Sequence, residues 1–159
     1  MIVLGIDPGT AITGYGVIKK SGDDLSAIDY GVFTTPSSWN VERRLNSLFE
    51  QVSSLLDLYR PDTIVIEEVF FNKNAKTAIN IGQAQGVLLL AAYQCQRKVV
   101  MFTPLEVKLA IVGYGRASKQ QIQYLVKEIL NLKEIPKPDD VADALALAIS
   151  YFYTQGENL

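Results

Sequence analysis

The sequence predicts an α/β layer fold with a five-stranded mixed central sheet flanked by helices. Three observations carry this. "IVLGID" at residues 2–7 is a near-continuous apolar run, the pattern of a strand buried on both faces. Apolar residues between Val41 and Leu56 recur at helical spacing. Turn-forming clusters then separate alternating segments in the order β-β-β-α-β-α-β-α, which packs as helices on a sheet.

Taken in order, the first strand stops at "PGT", leaving Asp7 at its C-terminal end. "GYGVIKK" and "LSAIDYGVFTT" read as two more strands joined by "SGDD", an antiparallel meander whose glycine-bearing second strand packs close to a neighbour. A helix covers residues 40–59, with Asn40 placed to cap it and Pro61 just beyond its end. "DTIVIE" forms the fourth strand, a long helix covers about 76–96, and "KVVMF" forms the fifth, closed by Thr103 and Pro104. The helix "PLEVKLAIV" ends at the loop "GYGRAS", and "SKQQIQYLVKEIL" follows with Ser118 as its cap. The last helix is "PKPDDVADALALAISYFY", with Pro138 in its first turn.

The 159 residues, 48% hydrophobic and 20% charged, suit one domain over 1–159 with a real core. No apolar run reaches the ~18–20 residues of a membrane span, and "MIVLGIDPG" lacks the features of a secretory leader, so a cytoplasmic location is expected. Cys95 is the only cysteine, which excludes an intrachain disulfide and suits helix packing. There is no histidine, so Ser-His-Asp and Cys-His catalysis and His-based zinc sites are excluded. Any chemistry rests on carboxylates, lysines, hydroxyls or a carboxylate-held metal. The net charge is −2, yet residues 97–127 hold six basic residues against the single acid Glu106. That excess suits either a solvated face or a polyanion contact.

Carboxylates sit where chemistry would need them. Asp140 and Asp143 are three apart on one helix face, where favourable first-turn electrostatics would account for them alone, as it does for Asp139. Asp7 and Glu67 end two strands, and neighbouring parallel strands place their ends on one rim of a sheet. Four such groups together repel unless a cation neutralises them, and oxygen-only ligands favour Mg²⁺ or Mn²⁺. Two ions could clamp the attacking and leaving oxygens of a phosphodiester displacement.

"GIDPGT…TGYGVI", "IEEVFFNKNA…GQAQG", "VKLAIVGYGRASKQQIQ" and "DDVADALALAI" together resemble the RuvC-type Holliday junction resolvases, over Ile2 to about Tyr153. The resemblance implies a ribonuclease-H-like fold and metal-dependent, symmetric nicking of two opposed strands of a four-way DNA junction, leaving 5′-phosphate and 3′-hydroxyl ends. It implies that Asp7, Glu67, Asp140 and Asp143 hold the metal, settling Glu67 over Glu68; some members have histidine where this chain has Asp143. Phe70 matches an aromatic residue that meets junction bases, and Lys108 and Lys119 match basic residues near the scissile phosphate. Lys73, Lys76 and Arg116 would then contact backbone phosphates. A homodimer is implied, with the helix bearing Gly82 and Gly86 as its candidate interface or, alternatively, packed through those glycines on its own sheet. A branch-migration motor of the RuvA–RuvB kind is the implied partner. Two other readings remain open: an actin-like or sugar-kinase-type phosphotransferase, which shares an aspartate-glycine turn, and a catalytically idle junction-binding module.

Overall fold

The computed structural model describes residues 1–68 and 75–155. Five strands, β1 (Ile2–Asp7), β2 (Ile12–Ser21), β3 (Asp24–Thr34), β4 (Thr63–Glu67) and β5 (Lys98–Phe102), form one sheet in the order β3-β2-β1-β4-β5. The opening meander is antiparallel, as expected, while β4 runs parallel to β1 on one side and to β5 on the other. The helices are α1 (Val41–Tyr59), α2 (Ala75–Gln94), α3 (Pro104–Val112), α4 (Lys119–Ile129) and α5 (Asp139–Gln155). Among the described residues no helix is long and apolar enough to cross a membrane.

Strand alternation sorts the core into two layers. Leu4, Ile6, Ile64 and Ile66 face α1 and α2, whereas Val3 and Val65 face α3, α4 and α5. α5 is the central helix of the second layer, buried along Ala144–Tyr151. It lies unusually near the sheet because β1 offers Gly5: a Cβ there would overlap the Ala144 carbonyl. That close approach fixes the depth at which the first turn of α5 meets the strand ends.

Side-chain caps hold the helix starts, at Asn40 and Ser118 as predicted and also at Thr103, which was expected only to close β5. Asn40 Oδ1 accepts from the Arg43 N–H at 3.1 Å, and Thr103 and Ser118 each close a reciprocal box with Glu106 and Gln121. Two boundaries differ from expectation. β2 begins at Ile12 rather than Gly14, because pairing with β3 continues to Ile12↔Thr34. Pro138 precedes α5, so Asp139 and Asp140 occupy the first turn, where acids favour the helix dipole. On α2, a Cβ added at Gly82 or Gly86 would meet nothing within 4 Å among the described residues, so packing on the sheet does not account for these glycines.

Candidate active site

β1 and β4 are parallel neighbours with Ile6 opposite Ile66, so Asp7 and Glu67 end side by side. Both share the side-chain parity of Val3 and Val65, which turns them toward the α5 layer. Asp7 is also opposite Gly14 on β2, and a Cβ at Gly14 would overlap the carbonyl oxygen of Asp140. Gly14 thus admits the first turn of α5 directly beside the strand end, and Asp143 follows one turn on. All four carboxylates are half-buried at one rim. The next glutamate, Glu68, is exposed and lends its backbone N–H to the Phe102 carbonyl at 2.9 Å.

Their electrostatics reflect burial first and mutual repulsion second. Burial, then the charges of Glu67, Asp143 and Asp140, push Asp7 from 3.8 up to about 8, against a smaller opposing pull from Lys119. Burial and the Asp143 charge also raise Glu67, partly offset by its hydrogen bond with Asp7. Asp143 is raised by burial against the opposing hydrogen bond from Lys119. Burial works against the charged form of Lys119, but Asp143 and Asp139 outweigh it and the ammonium is held above its usual range.

Lys119 Nζ lies 2.9 Å from Asp143 Oδ2 and 3.4 Å from Asp139 Oδ2. Asp139 therefore has a partner beyond the helix dipole. A cavity of 220 Å³ opens between the end of β4 and helices α3, α4 and α5, lined by Glu67, Lys108, Lys119 and Asp143 with Val107, Ile122 and other apolar neighbours. It brings both predicted lysines to two of the predicted carboxylates. Arg116 is exposed in the link between α3 and α4 and does not line this cavity, and Lys76 is exposed in the first turn of α2. Phe70 and Lys73 lie outside the described residues.

Among the described residues no three His, Cys, Asp or Glu side chains close around a common point as a metal-ligand set; Lys119 draws Asp143 to itself instead. The donor chemistry nonetheless fits a hard divalent cation. It is all carboxylate oxygen, and a nearby cation would offset the burial and repulsion that disfavour the charged form of Asp7.

Two supporting residues carry no signal strong enough to single out in the sequence. Gln85 of α2 donates its side-chain amide to the Glu67 carbonyl at 3.1 Å, bracing the end of β4. The Thr13 hydroxyl donates to the Gly9 carbonyl at 2.5 Å, closing the loop that follows Asp7. A glutamine within "GQAQG" and a threonine at a strand start look like any polar residue until the fold sets them against the rim.

Comparison with known proteins adds an independent line. The family model for crossover junction endodeoxyribonuclease RuvC matches residues 3–151. The chain is 70% identical over 155 residues to the crossover junction endodeoxyribonuclease RuvC of Dictyoglomus thermophilum, covering 98% of each sequence. Its fold superposes on Thermus thermophilus RuvC with a TM-score of 0.91 at 32% identity, covering 99% of this chain and 97% of the other. The same enzyme in complex with a Holliday junction substrate gives 0.90 at 30% identity, covering 99% and 96%.

Proposed function

The chain belongs to the RuvC family of crossover junction endodeoxyribonucleases, and from that premise we propose that Asp7, Glu67, Asp140 and Asp143 are its metal-holding catalytic carboxylates. The protein is a ribonuclease-H-like, metal-dependent endonuclease that resolves Holliday junctions in recombination and repair by hydrolysing phosphodiester bonds. The observation that supports the residue assignment best is the convergence at one rim of two strand-end carboxylates and two from α5.

Two Mg²⁺ ions per subunit, with Mn²⁺ able to substitute, would supply polarisation of the scissile phosphate and a water acidified for attack. The chain's own residues do the rest. Asp7 and Glu67 fix the ligand position from rigid strand ends, and Asp140 and Asp143 complete it from α5. Lys108 and Lys119 face the same cavity, where their ammonium groups offset charge developing on the phosphate. On engaging DNA, Lys119 exchanges Asp143 for phosphate, so the ion pair holds Asp143 in reserve. Phe70 meets junction bases, and Lys73, Lys76 and Arg116 follow the backbone.

The working unit is one nuclease domain over residues 1–159, paired as a two-fold dimer so that each subunit cuts one of two opposed strands. The outward stripe of α2 supports this: Ile79, Leu90 and Tyr93 are 60%, 52% and 81% exposed and flank the uncovered Gly82 and Gly86 at spacings of three or four residues. A branch-migration motor of the RuvA–RuvB kind would deliver the junction, in the cytoplasm. The test is purified protein, a synthetic four-way junction and Mg²⁺. Paired nicks at symmetric positions are expected, with none in EDTA and far fewer on linear duplex. Equal cutting of linear duplex, or none under any divalent metal, would overturn the reading.

A further inference from the structure

The cleavage reading uses the lysines of α3 and α4, yet the first turn of α1, on the other face of the sheet, carries a pair of arginines beside the single acid Glu42. β3 ends beside the start of β2, with Ile12 opposite Thr34, so the segment 35–40 and the first turn of α1 stand at the same rim as Asp7. Here Arg43 lies 3.9 Å over the Trp39 ring. Arg44 Nε donates to Thr35 Oγ1 at 2.9 Å. The buried Thr35 passes this on, its hydroxyl donating to the Thr10 carbonyl at 2.6 Å and its N–H to the Ala11 carbonyl at 3.1 Å.

Neither arginine is ion-paired to a carboxylate among the described residues. A free arginine loses rotamer freedom when it binds, and its fork matches phosphate with two parallel donors. Pinning Arg44 through one nitrogen to a neutral hydroxyl restrains the side chain while its charge stays unspent, and stacking does the same for Arg43. α1 packs on the opposite face of the sheet from α3 and α4. The rim of the sheet therefore has Lys108 and Lys119 on the face its carboxylates turn to and Arg43 and Arg44 on the other face.

We propose that Arg43, held on Trp39, and Arg44, held on Thr35, form a second lip that binds the phosphate backbone of the junction on the face of the sheet opposite Lys108 and Lys119. The proposal rests on the junction-cleavage reading. It adds a function to the Thr35 link: Thr10 is three residues from Asp7, so a phosphate on Arg44 is referenced through two hydrogen bonds to the loop that follows that carboxylate.

The test is the salt dependence of binding a labelled four-way junction in EDTA, measured by fluorescence anisotropy. Each lost phosphate contact lowers the slope of log K against log salt by about 1. The double variant Arg43→Gln with Arg44→Gln is expected to lose about 2 from the slope, while Lys133→Gln, in the segment between α4 and α5, leaves it at the wild-type value. An unchanged slope in a double variant of wild-type melting temperature would overturn the proposal. Should the double variant unfold, Arg43→Gln alone decides: its side chain is outside the Thr35 link, and it must lose about 1 from the slope, an unchanged slope again overturning the lip. Nicking by the wild-type protein in Mg²⁺ is read separately, so failure of the nuclease reading is distinguishable from failure of the lip.

Discussion

Asp7 is the residue on which burial and charge act most strongly, and its perturbation has a measurable sign. The folded chain holds its pKa near 8, above the unfolded value of 3.8. Protonated Asp7 therefore favours the fold; the contribution is complete below about 3.8 and is lost as pH rises through about 8. Glu67 and Asp143 are shifted in the same direction. Metal-free protein should melt lower at pH 8 than at pH 5.5, and Mg²⁺ should raise the melting temperature more at pH 8, where protons compete less for the ligands. Asp7→Asn should raise the metal-free melting temperature at pH 8 by about 3 °C, the shift that ~1 kcal/mol gives a chain of this size, while abolishing cleavage. A fall in melting temperature would show that the Asp7 charge is not under strain. Lys119→Met should behave differently. Its half-exposed ion pairs contribute only about 0–1 kcal/mol, so stability should barely move while nicking drops by about 10²-fold or more, well beyond the loss of junction affinity from one phosphate contact.

At the scale of elements, Gly14 decides whether α5 can deliver its carboxylates. Gly14→Ala should cost about 1–3 kcal/mol or more by overpacking against the Asp140 carbonyl, visible in chemical denaturation, and should reduce cleavage in the fraction that still folds. Ala at the uncovered Gly82 should stabilise α2 slightly through helix propensity, by up to ~1 kcal/mol, unless close helix pairing in a dimer needs the gap. Tyr93→Asp should shift the species seen in sedimentation from dimer to monomer with little loss of monomer stability. Element boundaries were readable because the chain is strongly punctuated: Asn40 and Ser118 cap where expected, Pro104 opens α3 just after β5, and β1 runs from Ile2 to Asp7 as its apolar pattern predicts. β2 exceeded its reading because ladder pairing with β3 recruits Ile12 and Thr13, which local pattern alone leaves ambiguous.

Over the whole molecule, what could be read from the sequence was which residue types could do the chemistry, and what could not was how distant segments meet. The absence of histidine and the strand-end positions of Asp7 and Glu67 pointed to carboxylate chemistry. The pairing of Asp139 with Lys119, the brace from Gln85 and the chain from Arg44 through Thr35 to Thr10 depend on contacts between elements far apart in sequence. Propensity and periodicity do not encode such contacts. The resulting rim has acids with lysines on one face of the sheet and arginines on the other, which lets a chain of net charge −2 address a polyanion. The most direct test of this arrangement is to follow binding and nicking of one labelled four-way junction by wild type and Glu67→Gln in the same Mg²⁺ buffer. Wild type should cut two opposed strands to ends that DNA ligase reseals, while Glu67→Gln binds with similar affinity and cuts at least about 10³-fold more slowly. Cutting by Glu67→Gln at the wild-type rate would contradict the assignment of the rim carboxylates as the catalytic centre.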